Sequence, residues 1–115
     1  VTTLQQAEKN PLKANLTKLI EDLVAAQQYR EATRAYFLLV LQRMHLLGLI
    51  QWEKPKTNFD YVKALSGSTL HPSFSQLTYY FEIIWYGQQQ VDRNQFKSIE
   101  PEFINLLRQL QSDEE

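Results

Sequence analysis

Two histidines, His45 and His71, are the whole supply of imidazole in this sequence, and neither has a catalytic spacing. His45 has no carboxylate or second histidine four residues away, so the pairing that lets one helix face grip a metal is missing. It reads as a packing residue or as a cation near a helix C-terminus. His71 precedes Pro72 and reads as a turn or cap residue. No serine lies in a Gly-x-Ser-x-Gly elbow. Ser66-Gly67-Ser68 is a loop, and no glycine-rich strand-to-helix turn exists to cradle a phosphate. The carboxylates of Glu21 and Asp22, or of Glu100 and Glu102, are too close in sequence to converge from one helix face. The residues therefore predict no enzyme, no metal and no cofactor.

Cysteine is absent, which excludes a disulfide scaffold, a thiol enzyme, a zinc ribbon and an iron–sulfur protein. The 115 residues suit one domain, and 43% hydrophobic content is too high for a disordered chain. A net charge of −1 lacks the basic surplus that counterion release on nucleic acid requires. Charge is uneven along the chain. Residues 1–56 carry eight basic and five acidic groups, a net of +3, while residues 57–115 carry four and eight, a net of −4. That asymmetry suits head-to-tail contacts or an anionic membrane surface, or is ordinary surface scatter. The longest apolar run, 35–41, has seven residues, whereas a membrane span needs about 20. The first six residues do not resemble a signal peptide. A start at Val1 rather than Met predicts a soluble fragment of a longer protein.

Hydrophobic spacing predicts a single all-α domain of about five helices around one core, opening with an αα-hairpin and without significant sheet. Asn10-Pro11 reads as a cap and first helical residue, with a helix over 11–27 and Leu12, Leu16, Leu19, Ile20 and Leu23 inward. A second helix over 30–47 is apolar on all sides at 35–41, which predicts the central element. Gly48 should close it in a left-handed cap. An extended connector, anchored by Leu49, Ile50 and Trp52, leads to Thr57-Asn58-Phe59-Asp60, a capping box. A helix over 58–66 follows, with Phe59, Val62 and Leu65 inward. The next starts near His71 and ends at Gly87, again in a left-handed cap. The last, over 92–111, opens on the box Asp92-Arg93-Asn94-Gln95 and should kink or break at Pro101 before fraying over 112–115.

The fourth of these helices holds the main anomaly. Phe74, Leu77, Phe81, Ile84 and Trp85 form a core stripe, and Tyr79, Tyr80, Ile83 and Tyr86 widen it. Tyr79 and Tyr80 are adjacent and cannot point the same way, so one face should show Tyr or Trp to solvent. Those residue types anchor protein interfaces, which predicts a docking surface; the alternative is that the cluster is simply core. Arg30 and Arg34 lie one turn apart and should meet Glu82 or exposed helix carbonyls, and the Trp85 indole N–H should find a buried acceptor. A helix-turn-helix reading is weak, because the 58–66 helix offers only Lys63 to a phosphate backbone.

Several short elements recur in a familiar order. Tyr29-Arg30-Glu31-Ala32 opens a helix that ends at Gly48-Leu49-Ile50. Lys56-Thr57-Asn58 and Tyr61 follow, then Leu77-Thr78, Phe81-Glu82, Trp85-Tyr86-Gly87, Val91 and Phe96. This order resembles the bacterial domain of unknown function 4129 over about 29–97. The resemblance implies a C-terminal helical module placed after a membrane segment, on the cytoplasmic face of the inner membrane. Some members of that family follow a transglutaminase-like domain; others work beside an ATPase–von Willebrand system, which implies such a protein as partner. It implies no transglutaminase activity, since this chain lacks cysteine. The motif residues also have plain folding roles: Thr57 as a cap, Gly87 as a helix end, Trp85 as core volume.

The expectation is therefore a non-catalytic interaction module of a membrane-anchored bacterial protein. Its candidate docking or motif residues are Arg30, Arg34, Lys56, Thr57, Asn58, Tyr79, Tyr80, Glu82, Trp85, Tyr86 and Gly87. The alternative is a regulatory domain with a small polar pocket near Arg30, Arg34 and Trp85. DNA binding is a distant third.

Overall fold

A run of apolar residues with no polar face must be wrapped on several sides, and the fold is organised around that requirement. The computed structural model describes residues 3–114. It contains six helices and, among the described residues, no strand: α1 (Leu4–Lys9), α2 (Leu16–Ala25), α3 (Tyr29–Leu46), α4 (Asn58–Ala64), α5 (His71–Tyr86) and α6 (Arg93–Glu114). Helix α3 is the axis. Residues Ala35 to Leu41 are all buried, and α1, α2, α5 and α6 pack around them. Aromatic rings bind these layers. Phe37 of α3 stacks on Phe81 of α5 at 4.5 Å, and Tyr36 stacks on Phe103 of α6 at 5.2 Å.

The N-terminal region departs from the sequence expectation. Asn10 caps the C-terminus of α1, and Asn15 caps the N-terminus of α2, its side chain accepting from the Lys18 N–H. The expected helix over 11–27 thus starts later, at Leu16. Residues 11–14 form a turn whose carbonyls are claimed from the core: Gln42 Nε2 donates to the oxygens of Pro11 (2.8 Å) and Ala14 (3.1 Å). The additional α1 carries its own capping box, Thr3 with Gln6, and buries Ala7 completely.

Both sequence-predicted capping boxes form. Thr57 and Asp60 exchange side-chain-to-backbone bonds at the start of α4, and Asp92 and Gln95 do so at α6. The Thr57 N–H and hydroxyl hold the exposed Asp60 carboxyl below its ordinary value. Helix α6 runs unbroken through Pro101. The proline is exposed, so the carbonyl it leaves without an amide partner faces the solvent side, while Phe96, Ile99, Phe103, Leu106 and Leu110 keep one buried stripe. The backbone stays helical through Glu114, and Glu115 lies outside the described residues.

Two helix ends differ in an instructive way. Gly48 adopts the expected left-handed conformation, φ 76°. Gly87 does not: its φ is −78°, and Gln88 takes the left-handed turn at φ 52°. Glycine is still required at 87, because a Cβ there would collide with the Ile83 carbonyl oxygen.

Candidate functional site

Helix α5 has two unlike sides. Phe74, Leu77, Thr78, Phe81 and Ile84 face the core. The Thr78 hydroxyl spends itself on the Phe74 carbonyl at 2.7 Å, which lets a polar residue be buried here. The opposite side carries Tyr79 (65% exposed), Tyr80 (55%), Ile83 (55%) and Tyr86 (64%). Tyr79, Ile83 and Tyr86 follow one another at helical spacing, and Pro72 and Gln76 extend the same surface toward the N-terminus. These tyrosines therefore do not widen the core stripe: an α-helix this short cannot turn nine positions in sixteen toward one neighbour. Phe59 of α4, expected inward, is exposed and meets the Tyr79 ring edge-on at 6.1 Å. Tyr61 takes the inward place instead, and burial raises its pKa.

Tyr79, Tyr80, Ile83 and Tyr86 bring no charge to this face. The helix holds a single acid, Glu82, which stands half-buried at its edge, at helical spacing from Tyr79 and Tyr86, and accepts from Asn58 Nδ2 at 2.9 Å. Charge depletion with exposed aromatic residues is the composition of an interface centre rather than of a solvated helix. Beside the face, between α5 and α6, runs a groove of about 560 Å³ lined by Gln76, Leu77, Tyr80, Ile99 and Glu102 among others.

The Lys56-Thr57-Asn58 turn is occupied internally. Lys56 Nζ donates to the Gln51 carbonyl at 3.0 Å, Thr57 caps α4, and Asn58 holds Glu82. The preceding connector is clamped from both sides. The Tyr61 hydroxyl donates to the Glu53 carbonyl and accepts from the Glu53 N–H, and His45 Nδ1 accepts from the Trp52 N–H at 3.1 Å. The resemblance pointed to this turn; its polar groups serve to seat α4, and through it Phe59, against α5.

Arg30, Arg34 and Trp85 do come together. The Arg30 guanidinium lies 4.1 Å over the Trp85 ring and donates to the Trp85 carbonyl, at the C-terminal end of α5. Arg34 lies over Phe81 at 5.2 Å and pairs with Glu8 of α1 at 2.8 Å. Of the partners expected, the helix carbonyl is realised for Arg30 and Glu82 is not. The Trp85 ring engages through its face, not through an indole bond to a buried acceptor. Arg30 Nε and Arg34 Nη1 are buried without acceptors, so the cluster is a packed staple of three helices with imperfectly satisfied donors. On its outer side, a polar cleft of about 410 Å³ is lined by Arg30, Glu31 and the glutamines 27, 28, 88, 89 and 90.

Sequence reasoning missed Phe59, Ile83 and Glu8 as members of these sites. Among the described residues, no group of three histidine or acidic side chains converges as a metal site, and no helix is long and apolar enough to cross a membrane. No family model, curated protein or solved structure matches this chain.

Proposed function

We propose that this chain is a non-catalytic, all-α protein-interaction module of a membrane-anchored bacterial protein, docking through the outer face of α5. The observation that carries this reading is the aromatic face of Tyr79, Tyr80, Ile83 and Tyr86, each more than half exposed on a helix whose other side is locked into the core and whose one acid, Glu82, is held by Asn58. The motif order resembling domain 4129 supports a tether at the cytoplasmic face of the inner membrane. By the same resemblance, a membrane complex with an ATPase or von Willebrand-type protein is the setting; the near-neutral charge balance argues against nucleic acid. The test is co-purification of the full-length parent from its own cells, beside parents carrying Tyr79→Ser or Tyr86→Ser. A partner lost in the variants, with melting temperature unchanged, supports docking. Variants that lower only the melting temperature place the surface elsewhere.

The polar cleft beside Arg30 supports a second reading, a regulatory small-ligand domain. A ligand that binds only the native state raises its thermal midpoint, so a thermal-shift screen in which Arg30→Ala abolishes the response would transfer the function to that cleft.

A further inference from the structure

We propose that the occupant of the α5 outer face is a second copy of this chain, packed across a two-fold axis that passes near Ile83. The inference rests on the docking reading above and names its partner.

Three observations select a copy over an unrelated partner. The first is charge. Foreign partners are chosen by opposed charges and by repulsion of the wrong ones. The face from Pro72 through Gln76, Tyr79, Tyr80 and Ile83 to Tyr86 contributes no charge of its own; the charges at its edge are Glu82, held by Asn58, and Asp60 and Lys63 beside Phe59, which are of opposite sign, so little is set against its own image. An anionic bilayer likewise finds only Lys63, at that edge. The second is hydrogen-bonding character. A two-fold interface sets a patch against itself, so its polar groups must be self-complementary. Each tyrosine hydroxyl is donor and acceptor at once, and three of them ring Ile83. The third is area. An aromatic side chain presents roughly 200 Å², so the exposed fractions of Phe59, Tyr79, Tyr80 and Tyr86 with that of Ile83 leave roughly 500 Å² per copy. Two copies bury roughly 1,000 Å², at the threshold for a specific interface. That area fits a reversible dimer rather than an obligate one.

The test uses the chain as given, by analytical ultracentrifugation from micromolar to millimolar concentration. Reversible dimerisation is expected. Ile83→Lys and Ile83→Glu each put like charges across the axis and should weaken self-association at least about tenfold. An equimolar mixture of the two variants should recover it, because only at a two-fold axis does position 83 meet itself. Circular dichroism checks that both variants keep the native melting temperature; if Ile83→Lys unfolds, Tyr86→Lys and Tyr86→Glu replace the pair. A chain that is monomeric at millimolar concentration overturns the proposal, as does a dimer indifferent to these substitutions. Binding of the monomer to neutral phosphatidylcholine vesicles would overturn it too, and give the face to lipid. If the chain is monomeric but the parent still loses a partner with Tyr79→Ser, the docking reading stands and the second copy falls.

Discussion

Arg30→Ala should unfold this protein more easily by about 2 kcal/mol, and the number can be built from its surroundings. The guanidinium stacks on Trp85 at 4.1 Å in a half-buried site, an interaction of about 1–2 kcal/mol. Its bond to the Trp85 carbonyl, with a charged donor, adds about 1.5 kcal/mol. Against these stands the buried Arg30 Nε, which has no acceptor and costs about 1 kcal/mol that alanine recovers. The balance is close to 2 kcal/mol, or roughly 8 °C in melting temperature for a domain of this size. Urea titration followed by circular dichroism measures it directly. Arg30→Lys keeps the charge but loses the planar stack, and should fall between the two. A double-mutant cycle with Trp85→Leu isolates the ring contribution, expected at about 1 kcal/mol of coupling. If Arg30→Ala stays within about 0.5 kcal/mol of the parent, or the coupling vanishes, the staple does not hold α3 to the end of α5.

Thr57→Ala removes the hydroxyl that caps α4 and should cost about 1 kcal/mol by the same titration. Burial and the hydrogen bond to Glu100 raise the Tyr36 phenol well above its ordinary value of 10.0. Its contribution is therefore complete below pH 10 and is lost as pH rises beyond it, so the parent should lose stability more steeply above pH 10 than Tyr36→Phe does. Gln27 and Gln88 both hold left-handed turns, at φ 60° and 52°, that glycine adopts freely. Replacing either by glycine should stabilise the fold by roughly 0.5 kcal/mol, the relief of backbone strain slightly exceeding the added chain entropy; a loss of stability would show that the glutamine side chain is itself engaged.

What the sequence made legible, and what it hid, follows from the range of each interaction. The all-apolar run at 35–41 announced a central helix because no other placement buries it, and the two capping boxes were legible because their partners are three residues apart. Helix α1 was hidden: six residues with one buried alanine give no periodicity to detect. Asn10-Pro11 obeys a sound local rule, yet the turn is decided by Gln42, some thirty residues away. In α4 the inward residue was misjudged because, in only two turns of helix, Phe59 keeps helical spacing to Val62 while Tyr61, on nearly the opposite side, keeps it to Leu65. The deciding bonds, from the Tyr61 hydroxyl to Glu53, lie outside the helix. The pair of Arg34 with Glu8 spans 26 residues and has no sequence signature at all.

Helix α5 carries the proposed docking face without using it to hold the fold together. Its inner side is fixed by the Phe37–Phe81 stack, its end by Arg30, and its middle by Asn58 on Glu82. None of these contacts uses an atom of the outer face. The backbone beneath Tyr79, Ile83 and Tyr86 is thus already ordered before anything binds, and a tyrosine has only two side-chain torsions left to lose. Association then costs little in conformational freedom, so a modest area can suffice where a flexible segment of equal size would fail. An exposed apolar face on a loosely held helix would be an aggregation liability. Held on three sides by contacts with the rest of the fold, the proposed docking surface keeps its geometry when it is free.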